Sequence, residues 1–480
     1  MSADAKHSEK VIILESGKCS WGKCIFCNFG KNHAAKRGKL FNPMRNEMIE
    51  KKVPMLDLSV FKERIERAVN GTKIDTLKFF NSGSFLDEAQ ISAKMRRFLF
   101  SKCEETGIKE LIVECRAEHV TEMKLNELKH ELEELGKNTP KLTFAIGLEV
   151  ADDAVLKKIQ KGMTLAQYER AEKVIRKTGF GVRTYLMANL PFVGNVAESL
   201  DKSVNYSLKH SDSIAIINAF AYGYSPLFEM WLEGLWHPLN KKEFDALVKK
   251  YKNNKKINIY FDDYITYTKF PENLQKKLVG VGNEYIMHPY FNVWQEYLSR
   301  FYEIPEGKKY ALFLPCSFRK PYSQSKTHRE ILRHLTKLRQ YPLIHQIMIS
   351  NPGVIPREFE NKYPFAHYDW QEWLETPQIK KEYIEATQNR IKKYLAAHKY
   401  AAVFSYMKPT SESFIALKDA CEKLKIKLIS CVDEKIFTEL KNTETGLIKS
   451  AEDDRETYEN LLINRKMLDN LVEVLRKNLK

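Results

Sequence analysis

No stretch of this 480-residue chain approaches the roughly 18 apolar residues that a membrane-spanning helix needs. The first ten residues, M-S-A-D-A-K-H-S-E-K, hold no apolar core for a secretory leader. The expectation is therefore a cytoplasmic protein with no membrane partner. Cysteine is scarce too, with eight residues in all. In a reducing compartment, a tight group of them holds metal or does redox chemistry rather than forming disulfides. Internal repeats and low-complexity segments are absent, which excludes a solenoid or a disordered tail.

What is present is an ordinary globular composition, 43% hydrophobic and 29% charged, long enough for two or three domains of about 150 residues. Seventy-eight Lys and Arg against 62 Asp and Glu give a net charge of +16. Such a balance attracts phosphate backbones by counterion release. It is equally the surface of a lysine-rich, heat-stable protein, and charge alone leaves the two readings open.

Short β-branched or aromatic runs at 11–15, 76–81, 110–115, 142–149, 182–187 and 213–220 alternate with charged stretches that are apolar at helical spacing, such as L-N-E-L-K-H-E-L-E-E-L. Repeated β-α units of this kind predict an α/β fold, here a partial (β/α) barrel with its chemistry at the C-terminal ends of the strands. After a lysine-heavy stretch at 249–260 and a linking region, further strands at 310–315, 343–350, 400–405 and 426–431 predict a second, smaller α/β domain with a mostly parallel sheet. The expected organisation is a first domain over 1–285, a second over 286–445 and a charged helical tail over 446–480.

Three of the eight cysteines fall within nine positions, C-S-W-G-K-C-I-F-C from Cys19 to Cys27, just after the first strand. Structural zinc sites need four ligands, whereas three thiolates leave one iron of a cubane open. The zinc reading stays available if His33 or a distant cysteine completes the set. The loop resembles that of the radical S-adenosylmethionine superfamily, with four rather than three residues between the first two cysteines, as in its Elp3-like, tRNA-modifying branch. The resemblance implies a radical SAM barrel with a 4Fe-4S cluster on Cys19, Cys24 and Cys27, and S-adenosyl-L-methionine on the open iron. It also implies that Phe26 packs on the adenine, that Asn81, Ser82, Gly83 and Ser84 meet the methionine amino group, and that Glu114, Arg116 and Glu149 hold the carboxylate and ribose. Each of the last three, taken alone, reads equally as a strand-end ion pair.

The second domain carries P-C-S-F-R-K-P-Y-S-Q-S-K-T-H from Pro315 to His328, directly after a strand, where α/β domains bind ligands. The segment resembles the P-C-x3-K-P-Y-x2-S-x2-H motif of the archaeosine synthases, and the likeness extends through 350–360 and 363–369. The first domain resembles the radical enzyme that partners those synthases. What this implies is lysine addition to the nitrile of 7-cyano-7-deazaguanine in tRNA, then radical cleavage of the carbon–nitrogen bond to leave the amidine. Cys316, Lys320 and His328 are the catalytic candidates, with Cys316 as a thiol nucleophile activated by either cation. Tyr322 and Ser325 are the substrate-binding candidates. In the bland reading, Pro315-Cys316 only shapes the loop.

Expected partners are tRNA, lysine or the lysine-adduct base, an electron donor such as ferredoxin or flavodoxin, or a separate archaeosine synthase subunit. The transglycosylase-like and PUA-type regions of the synthases are not found in these residues. The tRNA grip is therefore expected from basic surface such as Lys249, Lys250, Lys252, Lys255 and Lys256, or from another subunit. Two alternatives remain: another Elp3-like radical SAM tRNA modification enzyme, or a non-catalytic subunit of a tRNA-modifying complex. Cys103, Cys421 and Cys431 read as inert thiols, Cys115 as part of the barrel wall, and His288 as a pocket or structural histidine.

Overall fold

The computed structural model describes residues 8–27, 54–71, 73–136, 138–221, 225–261, 277–282, 285, 289–447 and 461–479. His33 and His288 lie outside them. The chain divides into two compact units, Met1–Ile265 and Thr266–Lys480.

In the first unit, seven strands follow one another in a single parallel sheet: β1 (Glu9–Ile13), β2 (Thr76–Phe80), β3 (Glu110–Cys115), β4 (Lys141–Glu149), β5 (Gly181–Ala188), β6 (Ser213–Asn218) and β7 (Ile257–Tyr260). The described connections carry α1 (Leu58–Val69), α2 (Ala93–Glu105), α3 (Glu122–Leu135), α4 (Asp153–Lys158), α5 (Leu165–Lys177), α6 (Val196–His210), α7 (Pro226–Leu232) and α8 (Lys241–Val248). Local signals start these helices where sequence rules place them. Thr164 and Asn240 form capping boxes, and Asn195 accepts two backbone N–H bonds at the head of α6.

The sheet is curled, and side chains on its inner face show it. A flat sheet would set β2 and β7 roughly 24 Å apart, five strand spacings. Yet Lys78 Nζ on β2 donates to Tyr260 Oη on β7 at 2.9 Å, and to Glu9 on β1 at 2.5 Å. One layer up, the Phe80 and Tyr185 rings meet edge-on across three strand spacings, 6.1 Å between centroids. Alternate residues point inward. Thr76, Glu110 and Thr143 form a polar floor, Lys78 and Arg183 the next level and the aromatic pair the one above, which leaves the strand C-termini for chemistry. The outward residues Leu77 and Phe79 are fully buried, with Phe79 against Phe61 of α1 and Phe85.

The second unit holds a five-stranded sheet in the order β11-β10-β9-β13-β14, made of β9 (Tyr310–Pro315), β10 (Ile344–Ser350), β11 (Gly353–Pro356), β13 (Ala402–Ser405) and β14 (Leu428–Ser430). All its pairings are parallel except β10 with β11. A short parallel ladder joins β8 (Leu278–Val279) to β12 (Tyr368–Asp369). Its helices are α9 (Pro289–Arg300), α10 (Lys326–Leu335), α11 (Pro377–Ala397), α12 (Glu412–Lys423), α13 (Glu434–Leu447) and α14 (Arg465–Asn478). No described helix is long and apolar enough to cross a membrane.

The fold class follows the expectation, an open curled parallel sheet and a second, mostly parallel α/β unit, with three corrections. The 285/286 boundary falls inside the second unit, because β8 pairs with β12. The segment after 446 is no separate tail in its described part. Met467, Leu468, Leu471 and Leu475 of α14 are buried, and Leu462 O accepts from Tyr406 Oη at 2.5 Å. Strands β7 and β11, and the two-residue β8 and β12, went unread.

Candidate active sites of the two units

The cysteine loop leaves β1 and is seated on the turn after α4. Ile25 N–H donates to Ile159 O at 3.1 Å, Trp21 Nε1–H to Gln160 O at 2.7 Å, and Cys24 Sγ stands 4.0 Å from Lys161 O. That turn can offer its carbonyls because Gln160 and Gly162 take left-handed conformations, φ 53° and 68°. Gly162 is required twice over: a Cβ there would stand 2.3 Å from the Trp21 ring. Cys19 and Cys24 are buried and Cys27 half-buried.

Two cations border the loop. Arg116, just past β3, donates to Lys161 O at 3.1 Å, lies 5.7 Å from the Trp21 ring and pairs with Glu118. Lys161 pairs with Glu149 at 2.7 Å and stands 5.9 Å over the Phe26 ring. Burial pushes the Cys24 thiol up, and the charges of Lys161 and Arg116 oppose that, favouring the thiolate. Burial would lower the Lys161 ammonium, but Glu149 and Cys24 hold it above the usual value. Glu149 itself sits at φ 70°, folded over Gly147, where a Cβ would meet its carboxylate at 2.4 Å.

At the end of β2 the backbone is already engaged. The half-buried Glu114 carboxylate accepts from Asn81, Ser82 and Gly83 N–H at 3.1, 2.8 and 3.4 Å. Burial raises Glu114 to about 7 despite these bonds. The space beside Gly83 is taken by the Gln90 amide, which also accepts from Ser84 N–H. A side chain at position 83 would therefore run into Gln90, which is why glycine stands there. Asn81 is fully buried, and neither atom of its amide finds a partner among the described residues. A buried unpaired amide is costly unless a polar ligand completes it. Ser82 (φ 60°), Glu149 and Asn189 (φ 66°) are all left-handed residues at the C-terminal ends of strands, the strain that functional sites collect.

Among the described residues no three His, Cys, Asp or Glu side chains are grouped as a metal site. The donor chemistry nonetheless fits a sulfur-ligated cluster: three cysteines on one loop, two of them buried, with two cations alongside.

In the second unit, Cys316 follows β9 and is half-buried. A thiolate at Cys316 would hold the Lys320 ammonium up, against burial, and would add to the burial that keeps the Tyr322, Tyr368 and Tyr383 hydroxyls protonated. Lys320 Nζ stands 4.0 Å over the Tyr368 ring, and burial lowers its ammonium below the usual range. Tyr322 Oη and Tyr368 Oη are 2.5 Å apart, and Tyr368 continues to Ser350. Two expected roles change. His328 is fully buried with Nε2 on Pro315 O at 2.9 Å and Nδ1 on Arg357 at 2.9 Å. Burial, with Arg357, lowers its pKa to about 3, so it is a neutral brace for the β9 end rather than a cation beside the thiol. Ser325 accepts from His328 N–H as the N-cap of α10 and is itself buried.

Sequence reasoning missed Lys161 and Gln90, which reach their sites from other elements, and it marked Arg357, Tyr368 and Asp369 only as members of the segments 350–360 and 363–369, without a role. For Lys161 the signal available beforehand was the K-G pair at 161–162, a turn signal after a short helix. Of the lysines expected to grip tRNA, Lys250 pairs with Asp201 and Lys252 lies 3.7 Å from Asp245. Burial leaves Cys103 and Cys115 raised to about 12 and Cys421 to about 11, so these thiols stay protonated at neutral pH.

Residues 291–445 match the family described as a domain of unknown function, DUF5591. The chain is 31% identical over 156 residues to the archaeosine synthase subunit alpha of Methanosarcina acetivorans, covering 30% of this chain and 23% of that one. It is 26% identical over 234 residues to the archaeosine synthase subunit beta of the same organism, covering 47% and 62%. In each case the chain spans less than two thirds of the relative. Among solved structures, a queuine lyase from Clostridium spiroforme bound to SAM and queuine aligns at a TM-score of 0.36 with 18% identity, covering 52% of this chain and 90% of that one.

Proposed function

We propose that this chain is a tRNA-modifying enzyme of archaeosine formation. Its first unit would cleave a lysine adduct of 7-cyano-7-deazaguanine, and its second unit would add the lysine. The observation that carries the reading is the presence, in one chain, of a three-cysteine loop flanked by Arg116 and Lys161 at the strand ends of a curled parallel sheet and of a thiol–lysine motif at a second strand end. Sequence similarity to both archaeosine synthase subunits supports it.

Cys19, Cys24 and Cys27 would hold a 4Fe-4S cluster, which with S-adenosylmethionine supplies a 5′-deoxyadenosyl radical able to take an unactivated hydrogen. Arg116 and Lys161 favour the thiolate form that ligation requires. Asn81 offers its unpaired amide to a polar ligand. Glu149 keeps Lys161 charged and in place. In the second unit, the Cys316 thiol adds to the nitrile to form a thioimide, and the imide nitrogen takes a proton. The amine then displaces sulfur, forming the carbon–nitrogen bond and releasing the thiol. Lys320, whose ammonium burial weakens, would give that proton.

Anaerobically prepared protein should contain about four iron and four sulfide per chain, lost in Cys19→Ala, Cys24→Ala and Cys27→Ala. The triple variant should accumulate tRNA bearing the lysine-substituted base, read by nucleoside mass spectrometry. Stoichiometric zinc in place of iron, or accumulation of the bare nitrile base, overturns the assignment to the first unit. Cys316→Ser and Cys316→Ala should fail to add lysine while keeping their iron.

A further inference from the structure

From Pro315 to Arg329 the second unit reads P-C-S-F-R-K-P-Y-S-Q-S-K-T-H-R, without a single Asp or Glu. Three of its cations, Arg319, Lys326 and Arg329, are exposed and have no carboxylate partner among the described residues. Other exposed lysines of the chain do: Lys241, Lys250 and Lys423 each pair with an aspartate. The acids that adjoin the stretch are spoken for. Glu330, next in the chain, pairs with Arg333, and Glu360, which accepts from Ser323 N–H at 3.0 Å, is buried against Arg357. Among these free cations stands Phe318, 69% exposed.

A single exposed apolar residue needs no explanation by itself. Here the ring is presented on a fixed backbone. His328 Nε2 lies 2.9 Å from Pro315 O, which closes the stretch on itself and brings the first turn of α10 against the start of the loop. Ser317 Oγ donates to Arg319 O at 3.0 Å and Lys320 Nζ to Phe318 O at 3.3 Å. The carbonyls of Phe318 and Arg319 are thus tied by neighbouring side chains, while their own side chains stand in solvent. Lys326 and Arg329, three apart in that first turn of α10, share one helix face. Phe318 follows Cys316 by two residues, which limits their Cα atoms to a separation of about 7 Å. A docked protein needs a contiguous apolar patch, but the other exposed residues of this stretch are Arg319, Gln324, Lys326 and Arg329, all polar. An unpaired polynucleotide offers what the loop lacks, anions for the cations and a flat face for the ring.

We infer that this loop binds an unpaired stretch of RNA, with one nucleobase stacked on the Phe318 ring and the phosphates of its neighbours on Arg319, Lys326 and Arg329. The inference deepens the proposed function and rests on it for the choice of RNA as the polynucleotide, but its test reads binding alone.

The test measures binding of the full chain to an unmodified tRNA transcript, with a blunt RNA duplex, whose bases are all stacked, as the control. Phe318→Ala should weaken tRNA binding roughly tenfold at unchanged salt dependence and leave duplex binding as it was. Phe318→Trp should bind tRNA at least as tightly as the wild type, and Phe318→Leu, which keeps apolar area without a flat face, should behave like alanine. Arg319→Ala, Lys326→Ala and Arg329→Ala should each lower the slope of log affinity against log salt by about 0.7. Normal tRNA binding by Phe318→Ala, leucine serving as well as tryptophan, an equal loss on the duplex, or salt slopes unmoved in all three cation variants overturns the inference. If Phe318→Ala binds normally while Cys316→Ser alone loses lysine addition, the RNA surface falls and the proposed reaction stands. If Phe318→Ala binds tenfold more weakly in a protein that adds no lysine, the surface is supported and the reaction falls.

Discussion

Around the cysteine loop of the first unit the buried groups are mostly charged: Arg116, paired with the exposed Glu118, and Lys161 against Glu149. Around Cys316 in the second unit they are mostly neutral: a histidine used at both nitrogens, a chain of Tyr322, Tyr368 and Ser350 hydroxyls, and a lysine whose charge burial disfavours. The difference is in line with the two kinds of sulfur chemistry proposed above. Thiolates that must hold a metal need compensating cations close by. A thiol that must add to a neutral carbon and then leave works best where proton donors surround it and no fixed charge locks it in one state.

The largest expected effect that would sharpen the contrast is on His328. Replacing it by alanine leaves the Arg357 guanidinium without one partner, leaves the Pro315 carbonyl unpaired and opens a cavity at a fully buried position. The cost should be about 3 kcal/mol or more. Hydrogen exchange should show β9 amides losing protection while β3 amides keep theirs. Equal loss in both would mean that the units do not unfold separately.

The comparison also predicts opposite responses to pH. Glu114 is raised from 4.5 to about 7, so its folded form holds a proton that the unfolded chain releases. Its contribution is full below about pH 4.5 and is lost as pH rises through 7. His328 is lowered from 6.5 to about 3, so its contribution is full above about pH 6.5 and is lost on acidification. Between about pH 8 and 4, Glu114→Gln should remove about 3 kcal/mol of pH dependence from β3 protection. Between about pH 6.5 and 5 the wild-type β9 should lose about 2 kcal/mol. Slopes of the same sign in both strands would break the comparison.

How much of this was legible in the sequence follows the same division. The three cysteines, the strand-end Glu114, Arg116 and Glu149, and the Cys316–His328 motif sit on contiguous segments whose period and punctuation place them. Partners from afar do not announce themselves. Lys161 follows a short helix and Gln90 lies in a loop without regular structure, while Tyr368 and Asp369, marked only as part of the 363–369 likeness, belong to a two-residue strand. Their positions depend on tertiary contacts, such as the Lys161–Glu149 pair and the β8–β12 ladder, which no local pattern encodes. His328 shows the converse error. Spacing placed it correctly near the thiol's loop, but spacing cannot report that both ring nitrogens are consumed by Pro315 and Arg357.

A smaller effect tests how the first unit seats its loop. Gly162→Ala puts a methyl group 2.3 Å from the Trp21 ring, at a φ of 68° that alanine resists. The loss should be about 1–3 kcal/mol, seen as a lower urea midpoint, with Trp21 fluorescence changed and less iron retained. The matching change at Gly179, also left-handed but with open space around its Cβ, should cost less and leave iron unchanged. If the two variants behave alike, the Trp21 contact is not what holds the loop.

The smallest effect separates capping from binding at Ser325. Its hydroxyl oxygen accepts from His328 N–H, so it ties the first turn of α10 and, through His328, the end of β9. Removing an N-cap hydroxyl costs about 1 kcal/mol, and aspartate caps as well as serine. Ser325→Ala should therefore lower stability by about that much, and Ser325→Asp should restore it. Lysine addition measured in the same three proteins gives the second reading. A cap requires only the acceptor oxygen, so the aspartate variant should add lysine at close to the wild-type rate. A group that touches substrate would not survive the exchange, because aspartate brings a negative charge and loses the donor hydrogen. Stability restored with addition still lost would return Ser325 to the substrate-binding set, and addition that follows stability in all three proteins would keep it as the cap.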